Sequence, residues 1–237
     1  MLIFLSELIG TALLILLGCG VVANVTLNKS GMQGGGTVQI TMGWGLAVLL
    51  PVFIFSKASG AHFNPAITLA FAGDGTVPWN VVPYYLAGQL LGGFIGGILV
   101  YILFKGHFDA TDDQDVKLGV FATRPTVPNA ILNLLSEIIG TFVLVFAIMG
   151  IANIEGISGG LDKFLVFAII VSIGMSLGGL TGYAINPARD LGPRLVHAIM
   201  PIKGKRDSNW RYAWIPIIGP IIGAFLAVIL YRAIPWV

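Results

Sequence analysis

The sequence predicts an all-α membrane protein of six transmembrane helices and two re-entrant half-helices, built as an inverted 3+3 repeat. Three observations predict it. Of 237 residues, 56% are hydrophobic and 10% charged, with a mean hydropathy of +0.90. A soluble domain carries about 25% charged residues to cover its surface. Apolar runs of bilayer-crossing length recur along the chain, and two short blocks of polar residues and glycine each occur twice. The composition excludes a soluble globular enzyme, a disordered chain and a nucleic-acid binder, and a formal charge of +2 is too small for the last. The one cysteine, Cys19, has no internal disulfide partner.

The first apolar run covers roughly 8–23. It lacks the basic start of a cleaved leader, carries Glu7 and has a counterpart later in the chain, so it reads as a span. A glycine-rich loop around 24–36 leads to a second run at 38–55. The third covers 81–104, the fourth 138–152, the fifth 164–180 and the sixth about 212–231. Each approaches the roughly 20 residues that cross a 30 Å hydrocarbon core as a helix.

The repeat orders these runs. Ser6-Glu7-Leu8-Ile9-Gly10-Thr11 returns 130 residues later as Ser136-Glu137-Ile138-Ile139-Gly140-Thr141. Gly60-Ala61-His62-Phe63-Asn64-Pro65-Ala66 returns 122 residues later as Gly182-Tyr183-Ala184-Ile185-Asn186-Pro187-Ala188. The first half therefore holds eight extra residues between its blocks, most simply in the glycine-rich loop. Three spans per half is an odd number, so the second half enters from the opposite face. The chain forms one membrane domain: first repeat 1–104, linker 105–130, second repeat 131–237.

Each Asn-Pro-Ala opens an apolar stretch too short to span, 65–72 and 187–198. Asn caps a helix and Pro suits its first position. About ten residues rise about 15 Å, half the core. A single copy would read as an ordinary helix start in a loop; two copies at matched places read as half-helices meeting at the midplane. Their N-termini carry partial positive charge. Irregular backbone at that depth is tolerated where it lines a wet cavity. Asn64 and Asn186 are expected to cap the half-helices and aim amide N–H groups at water or hydroxyl oxygens, while the helix ends repel cations and hydronium.

This pair of Asn-Pro-Ala motifs within the repeat resembles the major intrinsic protein family of aquaporins and glycerol facilitators, over nearly the whole chain. The resemblance implies an aquaporin-like fold with a pore in every subunit, a homotetramer, a multi-pass position in the cell membrane and cytoplasmic termini. Charge counting points the other way. With cytoplasmic termini, the inside holds Lys57, Lys163 and Arg232 and the other ten Lys and Arg lie outside, against the positive-inside rule.

Within the family, Arg189 after the second motif corresponds to Ile67 after the first, and Asp190 to Thr68. The resemblance places Arg189 at an outer constriction, where its charge needs carbonyl or carboxylate partners on a wet path. By spacing, Trp44, Gly174 and Tyr183 map onto the other filter positions. Water-selective members typically have His at the position of Gly174. Glycine there implies a wide filter, with Trp44 and Tyr183 forming an apolar corner for the CH face of a polyol. Tyr183 departs from the usual Phe of glycerol facilitators. Asp190, Arg194 and Pro216 resemble glycerol-type positions, and Ile217 stands where Leu is common. The expected function is passive diffusion of glycerol and similar small neutral solutes, with some water. The chain is not expected to be an enzyme or to carry a cofactor.

Glu7 and Glu137 support two readings, acceptors for N–H groups of the re-entrant loops or proton relays of a coupled transporter; the resemblance favours the first. Two further functions compete with a glycerol channel: a water-selective channel, and an intramembrane hydrolase using Ser59 and His62. His62 and His197 fit no metal-ligand spacing and read as packing groups. Gly88, Gly92 and Gly96, and Gly219 with Gly223, form small-residue faces for close helix contact. Asp109, Asp112, Asp113 and Asp115 read as a solvated outer face.

Overall fold

The computed structural model describes residues 1–157 and 160–236. Its described residues form nine α-helices and no strand: α1 (Leu2–Thr26), α2 (Gly36–Ser59), α3 (Pro65–Gly73), α4 (Val82–Ala110), α5 (Gln114–Phe121), α6 (Ala130–Ala152), α7 (Leu161–Thr181), α8 (Pro187–Ile199) and α9 (Ile215–Ala233). Six of them, α1, α2, α4, α6, α7 and α9, are long and apolar enough to cross a membrane. The short α3 and α8 are the half-helices.

The repeat is visible in the pairing. α1 packs on α4 as α6 packs on α9, and α2 meets α7 across the two halves. Each half-helix reaches into the other repeat: α3 packs against α9, and α8 against α4. Neither half can therefore bury its half-helix alone, which makes the chain one packing unit.

Glycine faces set these approaches. A Cβ at Gly92 would lie 2.3 Å from the Leu8 carbonyl oxygen, and one at Gly223 would lie 2.2 Å from that of Ile138. α1 and α6 thus run backbone-close to α4 and α9 respectively, as small-residue faces permit. A third such contact joins α4 to α8, where a Cβ on Gly192 would sit 2.7 Å from the Gly93 carbonyl carbon.

The eight extra residues of the first half are not gathered in its glycine-rich loop. From Glu7, α1 runs four residues further than α6 does from Glu137. From the start of α2 to Asn64 is three residues longer than from the start of α7 to Asn186. The loop differs by one. Lengthened helix ends can continue backbone hydrogen bonding, whereas an eight-residue loop insertion would have to find new partners. The third span also runs past the expected boundary, to Ala110 rather than 104, and the linker carries α5. Asp113 caps α5 by accepting from the N–H groups of Asp115 and Val116.

Candidate functional site

Asn64 and Asn186 begin the two half-helices in extended backbone, with φ of −151° and −157°. Asn64 Oδ1 accepts from the Ala66 N–H at 2.9 Å; Asn186 Oδ1 accepts from Ala188 and Arg189 at 3.0 and 3.2 Å. Each amide also donates across the pseudo-twofold axis: Asn64 Nδ2 to the Ile185 carbonyl and Asn186 Nδ2 to the Phe63 carbonyl, both at 2.8 Å. A carboxamide has two N–H donors. One on each side chain stitches the half-helices together, leaving one to face the cavity that both Asn side chains line.

The loops before the motifs are shaped by two buried carboxylates. Glu7 accepts four hydrogen bonds: from Ser59 Oγ (2.5 Å), the His62 N–H (3.1 Å), the Phe63 N–H (2.7 Å) and Gln89 Nε2 (2.8 Å). Glu137 accepts three: from Thr181 Oγ1 (2.7 Å), the Ala184 N–H (3.0 Å) and the Ile185 N–H (2.8 Å). Ala61, Phe63, Tyr183 and Ile185 hold positive φ, between 36° and 56°, at matched places. Non-glycine residues there are strained, and the carboxylates that collect the N–H groups hold the conformation. Because these peptides are trans, the carbonyls of Ala61, His62, Tyr183 and Ala184 point away from the carboxylates that collect the N–H groups, and these four residues line the cavity. Apolar residues such as Leu14, Val48 and Ile170 line the same cavity.

Glycines missed by sequence reasoning seat the loop residues. A Cβ on Gly10 would fall 2.0 Å from the Phe63 ring, and one on Gly140 would fall 3.0 Å from the Ile185 methyl. Phe63 and Ile185 each precede an Asn-Pro-Ala. The signal was present, since both glycines belong to the repeated first block. Gly18 similarly makes room for the Trp44 indole, 2.2 Å from where its Cβ would be.

This inner cavity, about 170 Å³, adjoins a second of about 240 Å³ toward the linker. Both are lined by Trp44, Tyr183 and Arg189, which mark the junction. Arg189 is 7% exposed, and its guanidinium carbon lies 3.9 Å from the centre of the Trp44 ring, a cation–π contact. Its Nη1 donates to the Phe121 carbonyl at 3.4 Å.

Asp190 lies behind this junction. It accepts from Thr123 N–H and Oγ1 at 2.8 and 2.6 Å and forms a two-armed pair with Arg194, at 2.7 and 2.9 Å. Arg194 further donates to the carbonyls of Thr123 and Ser208. The pair fastens the end of α5, whose Phe121 carbonyl meets Arg189, onto α8. Sequence spacing does not reveal this, because Thr123 lies 67 residues away. At the other end of α8, Lys205 donates to the carbonyls of His197, Ala198 and Met200 and so caps the helix. Pro216 is buried in the first turn of α9, which Ile217 follows.

Gly174 lines the outer cavity with Thr41, Trp44, Tyr183 and Arg189. The space beside it is filled: a Cβ there would meet Thr41 Cγ2 at 2.6 Å and the Tyr183 ring and hydroxyl at 3.0 and 3.1 Å. The missing side chain makes room for Thr41 and Tyr183. Gly174→His therefore overcrowds this corner by roughly 1–3 kcal/mol and drives the Tyr183 ring toward the junction. Glycerol flux in proteoliposomes is expected to fall about tenfold, with water flux falling less. Tyr183→Ala in the same chain should relieve the loss. An equal loss of both solutes that Tyr183→Ala leaves untouched would show that Gly174 does not act through Tyr183.

The remaining candidates sit in packing roles. His62 Nδ1 meets Thr68 Oγ1 at 3.0 Å and its ring stacks on Tyr85; His197 Nδ1 meets Ser208 Oγ at 2.8 Å. Ser59 Oγ donates to Glu7 and not to His62. No group of three His, Cys, Asp or Glu able to hold a metal ion occurs among the described residues. The acidic cluster is more organised than a solvated face: Asp113 caps α5, Asp109 pairs with Lys105, and Asp115 pairs with Arg124 and Arg206. The Arg206 hydrogen bond, aided by the Arg124 charge, holds the Asp115 carboxyl below its usual range. Of the ten cations counted on the linker face, Arg189 and Arg194 are buried in α8 and Lys117 in α5, so seven remain at least partly exposed there.

Comparison with known proteins agrees with this architecture. The family model described as Major intrinsic protein matches residues 2–231. A "Probable glycerol uptake facilitator protein" of Thermotoga maritima is 54% identical, over 97% of this chain and 98% of its own. The "Glycerol uptake facilitator protein" of Bacillus subtilis is 49% identical, over 97% of this chain and 84% of its own. The solved structure of the aquaglyceroporin from Plasmodium falciparum superposes with a TM-score of 0.87 at 30% identity, covering 98% of this chain and 95% of that one.

Proposed function

The chain belongs to the major intrinsic protein family, and from that premise we propose that it is a passive channel for glycerol and similar small neutral solutes, with some water permeation. The observation that carries the reading is the cavity itself. The two asparagines and the loop residues before them line it together with aliphatic residues, and such a mixed polar and apolar lining suits the hydroxyls and C–H groups of a polyol. Relatives at about half identity over nearly the whole chain bear the name of glycerol uptake facilitators. In this reading Asn64, Pro65, Ala66, Asn186, Pro187 and Ala188 form the midplane of the pore. Trp44, Tyr183 and Arg189 select at the junction, and Gly174 positions Tyr183. Glu7, Glu137 and Asp190 support them. The channel needs no cofactor and performs no covalent chemistry. It is a multi-pass protein of the cell membrane with cytoplasmic termini, working as a homotetramer in which each subunit carries its own pore.

Stopped-flow light scattering on proteoliposomes tests the reading. Glycerol is expected to equilibrate far faster than in empty vesicles, down its gradient and without proton uptake. Proton movement in step with glycerol would favour the coupled transporter; water flux without glycerol flux would favour the water-selective channel.

Charge exclusion is divided in this reading. Arg189 supplies a full charge at the junction, and the two half-helix ends together supply about one more at the midplane. Arg189→Val should leave glycerol and water moving and raise proton conductance only modestly, by less than about tenfold. A full proton leak from Arg189→Val alone would move the main barrier to Arg189.

A further inference from the structure

We propose that the cleft between the starts of α6 and α9 binds the phosphate of an anionic phospholipid headgroup. The proposal does not depend on the solute that the pore carries. The cleft measures about 470 Å³, shares no lining residue with the inner cavity and only Arg124 with the outer one, and is lined by Arg124, Arg206, Arg211, Asn129, Asn133 and Trp214, among others.

Some of its polar groups are left open. Asn133 is 6% exposed, lines the cleft, and its side-chain amide has no hydrogen-bond partner among the described residues. Arg206 Nε is screened from solvent and also lacks a partner among them. Arg211 has no ion pair among them and stands exposed at the rim. Arg124 and Arg206 share one carboxylate, Asp115. The other acid nearby, Asp207, is 73% exposed and lies 3.6 Å from Arg206. Three guanidinium groups against these two acids leave the cleft positive. The starts of α6 and α9 add the positive ends of their dipoles. Guanidinium and carboxamide donors around a shallow positive cleft suit phosphate oxygens, which accept charge-assisted hydrogen bonds.

The surroundings favour a lipid over a free anion. Ile131 and Leu132, at the start of α6, are 73% and 59% exposed, and Ile218 on α9 is also exposed. These apolar side chains continue from the cleft along two membrane spans, where acyl chains would lie. Trp214 stands at the start of α9 beside them, half exposed, as aromatic residues at the membrane interface are. A headgroup phosphate in the cleft and acyl chains along α6 and α9 satisfy both surfaces together.

Native mass spectrometry of the full chain in neutral detergent tests this, with phosphatidylglycerol and phosphatidylcholine of identical acyl chains as probes. Phosphatidylglycerol is expected to bind about tenfold more tightly. Arg211→Gln, at an exposed position whose loss leaves the fold intact, should remove most of that preference, and Asn133→Leu should weaken it independently. Equal binding of the two lipids, or a preference that survives both substitutions, would overturn the proposal. Displacement of phosphatidylglycerol by an equal concentration of inorganic phosphate would overturn the lipid assignment, since acyl contacts would then contribute nothing.

Discussion

Replacing Glu7 with leucine is expected to abolish glycerol flux and most of the folded protein. The carboxylate collects four donors, two of them backbone N–H groups of a loop held in positive-φ conformations. Each buried donor left unmade costs about 1–3 kcal/mol, and Ser59 alone can turn its hydroxyl elsewhere. The total approaches the whole stability of an ordinary domain. Glu137→Leu strands three donors and should be somewhat less damaging. Yield and melting temperature in detergent, with flux on whatever folds, measure both. A Glu7→Leu protein with unaltered melting and flux would end the acceptor role. One that folds and keeps passive flux while losing a proton-dependent component would revive the relay.

Asn186 carries the second large effect. Asn186→Leu removes the cap of α8, the stitch to Phe63 and the remaining donor at the cavity. The cap alone is worth about 0.5–2 kcal/mol. A permeating hydroxyl left without its donor loses about 1–3 kcal/mol, which slows flux roughly 5- to 150-fold. Asn186→Asp separates these contributions, because it keeps the capping oxygens and loses both N–H groups. It should retain more of the melting temperature than Asn186→Leu yet lose comparable glycerol flux. Full flux through folded Asn186→Asp would show that the amide does not serve the permeant.

The two variants also show which parts of the protein its sequence makes legible. Glu7 and Glu137 stand out because a carboxylate in an apolar run needs partners, and two at matched positions of a repeat need matched partners. Which groups those are depends on chain segments far apart: Gln89 lies 82 residues from Glu7, and Thr181 lies 44 from Glu137. The stitch between Asn64 and Ile185 spans 121 residues. Periodicity cannot report such distances.

By itself, the sequence determined the membrane class, the six spans, the inversion and the half-helix starts. Those follow from local composition, from the capping chemistry of Asn-Pro, and from the parity of three spans per repeat. Tertiary structure alone decided how the junction is built. Gly174 leaves space because a glycine has no side chain, and only folding shows that Tyr183 and Thr41 pack against it. Asp190 follows Arg189 in the chain, and only folding turns it toward Arg194 and Thr123, where it fastens the segment whose carbonyl meets Arg189. A residue's type and position along the chain fix what it can bond to within a turn or two. Which distant groups fill the space around it is settled when the helices close on one another, because interior volume is shared and close-packed, so the side chains of distant segments must fit one another.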